Sequence, residues 1–305
     1  MNNELNNLIE KYIQNLDVKL TSITSYESIL SKYSKYMNNK NIQTISRNDI
    51  LKYKEYISKS SKAATIQKHI VVIRNFYRWI QTMSLGLNIT EGIKGAKIEQ
   101  TFKREALTFN QASKLLEKAK RKIGTLNGSR NYAIVLLLMI TGLRTIEVER
   151  ANVEDLNRID KDYVLYIQGK GRDDKDLYVK LPPIVYEAIN DYLKERGSNL
   201  EPLFTNNGTN NKGTRIKTGR IREVVKDLLY SIGISSKKYS AHSLRHTAAT
   251  LNLKLGATME ETQQLLRHKN IATTLIYSHH LTREKNNSEY RIADALASKG
   301  GQHGK

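Results

Sequence analysis

The chain contains no cysteine. That excludes disulfides, a thiolate nucleophile and any zinc site built on sulfur ligands. No apolar run reaches the roughly 18 residues that a membrane span needs. The longest, residues 133–140, is short enough to be a buried helix. The opening Met1-Asn2-Asn3-Glu4 has no basic segment followed by an apolar one, so it is not an export signal. The cytoplasm is therefore the expected location. No internal repeat is evident. The His-Glu-x-x-His order of zinc hydrolases and the Gly-x-x-x-x-Gly-Lys-Ser/Thr loop of nucleotide hydrolases are both missing. Acidic residues are comparatively scarce. Thirty Asp and Glu stand against fifty Lys and Arg, for a net charge of +20. The excess runs through the first hundred residues as well as the rest. A chain of this kind contacts a polyanion along much of its length, or else carries a solvated basic surface or binds a membrane surface. Its 305 residues suffice for about two domains, and 39% hydrophobic content is enough to bury a core.

The first 95 residues read as four amphipathic helices. Leu5, Leu8, Tyr12 and Leu16 step by three and four, as do Ile23, Tyr26, Leu30, Tyr33 and Met37. Ser46 and Asp49 have capping-box spacing ahead of Ile50, Tyr53 and Ile57. Ile66, Ile70, Ile73, Tyr77 and Ile80 form a fourth stripe, with Lys62, Lys68, Arg74 and Arg78 around it. Gly86, Gly92 and Gly95 then break the periodicity, and residues 96–104 read as a linker. Thr108 and Gln111 open a new helix by the same capping logic.

The remainder, 105–305, is mixed. Residues 129–140 predict a central helix that Gly142 stops. Residues 162–168 and 177–181 read as strands joined by a charged turn, and Pro182-Pro183 as the start of another helix. Helical patterns follow from Thr218, with a last one over 283–297. The expected fold is mainly α with a small antiparallel sheet, preceded by an all-α domain.

Within this framework, two arginines, two histidines and a late tyrosine could transfer a phosphoryl group. Arg144 follows the Gly142 turn, and Arg245 lies three residues after His242. Paired guanidiniums can hold the non-bridging oxygens of a pentavalent phosphate by charged, forked hydrogen bonds. Tyr277 suits a nucleophile that parks phosphate on protein. Tyr239 and Tyr290 are its rivals near the same motifs. His242 and His268 could move protons. His242 and His246, at i and i+4, could alternatively bind zinc, and His246 otherwise supports its helix. Lys170, in the turn between the strands, could protonate a departing oxygen, although Arg172 and Lys175 make the turn generally charged.

The segments Thr141-Gly142-Leu143-Arg144-Thr145-Ile146-Glu147, His242-Ser243-Leu244-Arg245-His246-Thr247, His268 and Tyr277 nine residues later resemble the tyrosine recombinases, the phage-integrase family with its Xer-type and Cre-type enzymes. The match covers residues 105–297, and the helical N-terminal segment is similar in size and position to the family's core-binding domain. The resemblance implies a site-specific DNA recombinase that acts without metal or nucleotide. Arg144 and Arg245 would clamp the scissile phosphate. Lys170 would be the general acid, His242 and His268 would assist, Tyr277 would form a 3′-phosphotyrosyl link, and Glu147 would prop the site. It further implies a C-shaped clamp on a double-stranded core site of two half-sites. A homotetramer would exchange strands on two duplexes through a Holliday junction. The final helix, with Leu281, Ile292 and Leu296, would link neighbouring protomers or pack on its own subunit. Arg267 departs from the family, which usually has glycine there. No arm-binding domain precedes the core-binding segment, which favours a simple recombinase on short sites. The alternatives with the same fold are a type IB topoisomerase-like or telomere-resolvase activity, or DNA binding without cleavage.

Overall fold

The computed structural model describes residues 4–38, 40–97, 105–169, 174–275, 277, 290 and 293. Lys170, Arg172 and, apart from Tyr290 and Ala293, the expected final helix over 283–297, with Leu281, Ile292 and Leu296, lie outside the described residues. The chain divides into two compact units, Met1–Thr101 and Phe102–Lys305.

Among its described residues the first unit carries four α-helices: α1 (Glu4–Gln14), α2 (Leu20–Met37), α3 (Arg47–Ser58) and α4 (Ala63–Thr82). Each expected stripe faces one shared core, with Leu5, Leu30, Tyr33, Tyr53, Ile57, Ile73, Phe76 and Ile80 all but inaccessible. The capping box that opens α3 is formed in both directions between Ser46 and Asp49, satisfying two otherwise orphaned helix donors. Two polar bonds run through this core. Tyr33 and Tyr77 share a hydroxyl–hydroxyl bond of 2.8 Å, and the Tyr53 hydroxyl meets His69 Nδ1 at 2.8 Å. Around α4, Lys62, Lys68 and Arg78 are exposed and Arg74 is half-buried.

The second unit comprises α5 (Phe109–Lys120), α6 (Leu126–Thr141), α7 (Thr145–Arg150), a three-stranded sheet, α8 (Pro183–Arg196), α9 (Thr218–Ser231), α10 (Ala241–Lys254), α11 (Met259–Leu266) and the short α12 (Ala272–Leu275). The strands β1 (Leu156–Ile159), β2 (Asp162–Ile167) and β3 (Leu177–Leu181) are antiparallel in the order β1-β2-β3. Sequence patterning anticipated β2 and β3. It missed β1, a four-residue edge strand in which Asn157 and Arg158 interrupt the apolar pattern. Helix α6 is buried nearly all round, as its apolar composition requires of a central helix. It packs against α5, α8, α10 and β3. Its first turn has no room for a side chain at Gly128, where a Cβ would sit 1.6 Å from the Lys122 carbonyl oxygen. Thr108 and Gln111 form the capping box that opens α5. Just before it, the Leu107 N–H donates to Thr247 Oγ1 at 2.8 Å, which ties this start to α10. No helix among the described residues is long and apolar enough to cross a membrane.

Candidate active site

Helix α6 ends at Gly142, whose φ of 62° is left-handed. That conformation reverses the chain at little steric cost only for glycine. It delivers Arg144 to the N-cap of α7. There the Arg144 N–H donates to Glu147 Oε2 at 2.8 Å, and its guanidinium Nη1 donates to Glu147 Oε1 at 2.8 Å. Glu147 is 1% exposed. A carboxylate so buried needs cationic partners to stay charged.

Arg245 is buried in the second turn of α10, with its Nη1 donating to the Gly142 carbonyl and its Nη2 to that of Leu266. Its guanidinium therefore fastens the α6 turn to the end of α11. Burial, then the nearby Arg144 and Arg267, pushes its pKa down to about 9. Helix α11 ends in a left-handed residue, Arg267, with φ 53°. Its guanidinium donates to the carbonyls of Thr141, Gly142 and Leu265 and to Glu147 Oε2. Two guanidiniums thus bind one carboxylate, and a third, Arg245, lies within reach of their charges. The surplus positive charge is what an anionic ligand would neutralise.

His268 follows directly. Its Nδ1 meets Thr274 Oγ1 at 2.9 Å, which orients the ring, and Gln263 Nε2 holds its carbonyl at 2.9 Å. Burial first, then Arg245, Arg144, Arg267 and His242, lowers its pKa to about 4. The imidazole is neutral at pH 7. Tyr277 lies beyond α12, its N–H donating to the Thr274 carbonyl at 2.9 Å. Its ring is 2% exposed, and its hydroxyl is 2.7 Å from His246 Nδ1. Burial raises the phenol to about 12, and Arg245 and Arg144 pull it back part of the way. Its rivals are placed differently. The Tyr239 hydroxyl donates to Glu105 at 3.1 Å, and Tyr290 is exposed.

Arg144, Arg245, His268 and Tyr277 are thereby brought into one electrostatic cluster. His242, exposed on the first turn of α10, reaches it through His246, the two rings lying edge to face at 4.6 Å. Lys175 ion-pairs with Asp155 at 2.7 Å. Among the described residues no three His, Asp or Glu side chains gather as a metal site would require. The sequence offered His246 as a helix-supporting residue or, with His242, a zinc ligand; its bond to Tyr277 joins residues 31 positions apart. Arg267 was legible only as a departure. Nothing in the local sequence signals its reach to Glu147.

Residues 105–284 match the model of the phage integrase family, and residues 9–82 match the family's N-terminal SAM-like domain. The chain belongs to the phage integrase family. It is a tyrosine recombinase of the Xer-like kind, an enzyme that breaks and rejoins DNA strands. It is 29% identical over 250 residues to the tyrosine recombinase XerC of Caldanaerobacter subterraneus subsp. tengcongensis, an alignment covering 78% of this chain and 66% of that one. Among solved structures it resembles the XerH site-specific recombinase bound to a palindromic difH substrate in a post-cleavage complex. The TM-score is 0.74, with 20% identity over 94% of this chain and 84% of that one. It also resembles a lambda integrase tetramer bound to a Holliday junction, with TM-score 0.66 and 17% identity over 87% of this chain and 77% of that one. These likenesses extend the shared fold across both units.

Proposed function

We propose that this recombinase cuts DNA by attack of the Tyr277 hydroxyl oxygen on the scissile phosphorus. The attack forms a 3′-phosphotyrosyl bond and breaks the bond to the 5′ oxygen. Arg144 and Arg245 hold the non-bridging oxygens. His268 and His242 assist in phosphate binding and in removing the tyrosine proton. Lys170 supplies the proton that the departing 5′ oxygen requires. A partner strand's 5′ hydroxyl then reverses the step, so the bond energy is conserved and the strands are exchanged. The observation that carries this reading is the gathering of two guanidiniums, a neutral imidazole and a buried phenol in one cluster of surplus positive charge.

The phenol is not activated in this state. With its pKa at about 12, the phenolate costs roughly 7 kcal/mol at pH 7. Tyr277 must leave His246 and meet the phosphate before it reacts. Phosphate contacts from the basic residues of both units supply most of the affinity for duplex DNA. The site bound is a core sequence of two half-sites, four protomers join two such sites, and exchange passes through a Holliday junction. Domain 1–95 binds the core, 105–305 carries the chemistry, and the enzyme works in the cytoplasm.

A nicked suicide substrate tests the mechanism. The protein should become covalently attached to DNA, and Tyr277→Phe should form no adduct. An adduct that persists in that variant removes Tyr277 from its role. Cleavage should survive a chelator. Two-site plasmids should recombine; relaxation of supercoils without exchange would mark a topoisomerase instead.

A further inference from the structure

Arg267 occupies a left-handed backbone position, φ 53°, which ordinarily favours glycine or asparagine. An arginine held there needs a compensating interaction, and its side chain supplies one. The side chain is 9% exposed and folds back under the site instead of reaching for solvent. Its Nη1 lies 2.6 Å from the Leu265 carbonyl and 3.3 Å from that of Thr141. Its Nη2 lies 3.3 Å from both the Gly142 carbonyl and Glu147 Oε2.

Two of these acceptors are shared with the proposed phosphate clamp. Gly142 O also receives Arg245, and Glu147 also receives Arg144 through its backbone and its side chain. A cap that served only the end of α11 would need just the contact to Leu265. The other three contacts tie α11 to the α6 turn and to α7, the elements that present both clamp arginines.

We infer that Arg267 is a positioning residue for DNA cleavage: by holding Glu147 and the Thr141–Gly142 turn, it fixes the guanidiniums of Arg144 and Arg245 against the scissile phosphate. This rests on the proposed role of those two arginines. Arg267 itself is too enclosed to grip DNA: both terminal nitrogens are held by protein acceptors, and its Nε is buried. Its charge also bears on His268, which is faced by Arg144, Arg245, Arg267 and His242.

Arg267→Gly suits the backbone and leaves Glu147 paired with Arg144, so the fold is kept. The test compares the parent, R267G, R267K, E147Q and the R267G/E147Q double variant. Thermal midpoint, duplex-DNA binding and single-turnover cleavage of the nicked substrate are measured for each, and the His268 imidazole is followed by NMR titration. R267G should keep its midpoint and bind DNA within about threefold of the parent, but cleave at least tenfold more slowly. R267K, with one ammonium in place of the fork, should recover only part of the rate. The double variant should be no slower than the slower single variant, because both changes release the same guanidiniums. His268 should titrate at a higher pH in R267G, having lost a cationic neighbour. A cleavage rate within twofold of the parent, losses that multiply in the double variant, or an unmoved His268 titration would each overturn the inference. If the parent itself forms no adduct, the cleavage reading fails, and the His268 titration alone decides whether Arg267 acts on the site.

Discussion

Acid should loosen the catalytic unit through His246, and the size of the effect follows from its surroundings. The ring is 7% exposed, and burial, followed by His242, Arg245 and His268, lowers its pKa from 6.5 to about 4. The unfolded chain therefore binds this proton more readily than the folded one. Stability from the neutral ring is complete above pH 6.5 and is lost as pH falls toward 4. A difference of this size corresponds to about 3 kcal/mol, most of it already lost at pH 4.5. His268 shifts in the same direction. His246→Asn isolates the first contribution, because its amide can stand where Nδ1 meets the Tyr277 hydroxyl and does not titrate. Urea unfolding followed by far-ultraviolet circular dichroism at pH 7 and pH 4.5 gives the stability of parent and variant. The parent should lose about 2.5 kcal/mol more than the variant between the two pH values. Trp79, the one tryptophan, lies in the N-terminal unit and provides an internal control whose midpoint difference should not depend on pH. A stability gap between parent and variant that is the same at both pH values would refute the argument, since a charged His246 would then be tolerated in the folded site.

Two further outcomes follow from the geometry. Gly142→Ala places a Cβ at a left-handed position 3.0 Å from Leu266 Cδ2; it should cost about 1–2 kcal/mol in urea unfolding and slow cleavage, because the Gly142 carbonyl anchors Arg245 and Arg267. Tyr77→Phe leaves the buried Tyr33 hydroxyl without its 2.8 Å partner and should lower the unfolding free energy reported by Trp79 fluorescence by about 1–2 kcal/mol, while nicked-substrate cleavage per folded molecule stays at the parent rate.

Much of this protein depends on interactions that close within a few residues, and those were legible without coordinates. The Ser46–Asp49 and Thr108–Gln111 boxes, the stripes of α1 to α4, the apolar α6 and the Gly142 stop each have causes that a short window contains. The proposed catalytic set was equally visible, because Arg144, Arg245, His268 and Tyr277 are recognised by residue type and order alone. Strand β1 escaped notice because an edge strand of four residues with two polar side chains has no period to read.

Sequence alone thus determined which residues could react and on which kinds of element they sit. Tertiary structure decided what state they are in. Only packing brings the Tyr277 hydroxyl to His246; burial raises that phenol, and burial together with neighbouring cationic groups lowers His246 and His268. Only the meeting of α6, α7 and α11 turns Arg267 from an odd residue at a helix end into a partner of Glu147, 120 positions away. The physical reason is the same in each case. Helix caps and amphipathic stripes arise between neighbours in the chain, whereas desolvation and charge coupling depend on what distant segments place around a group.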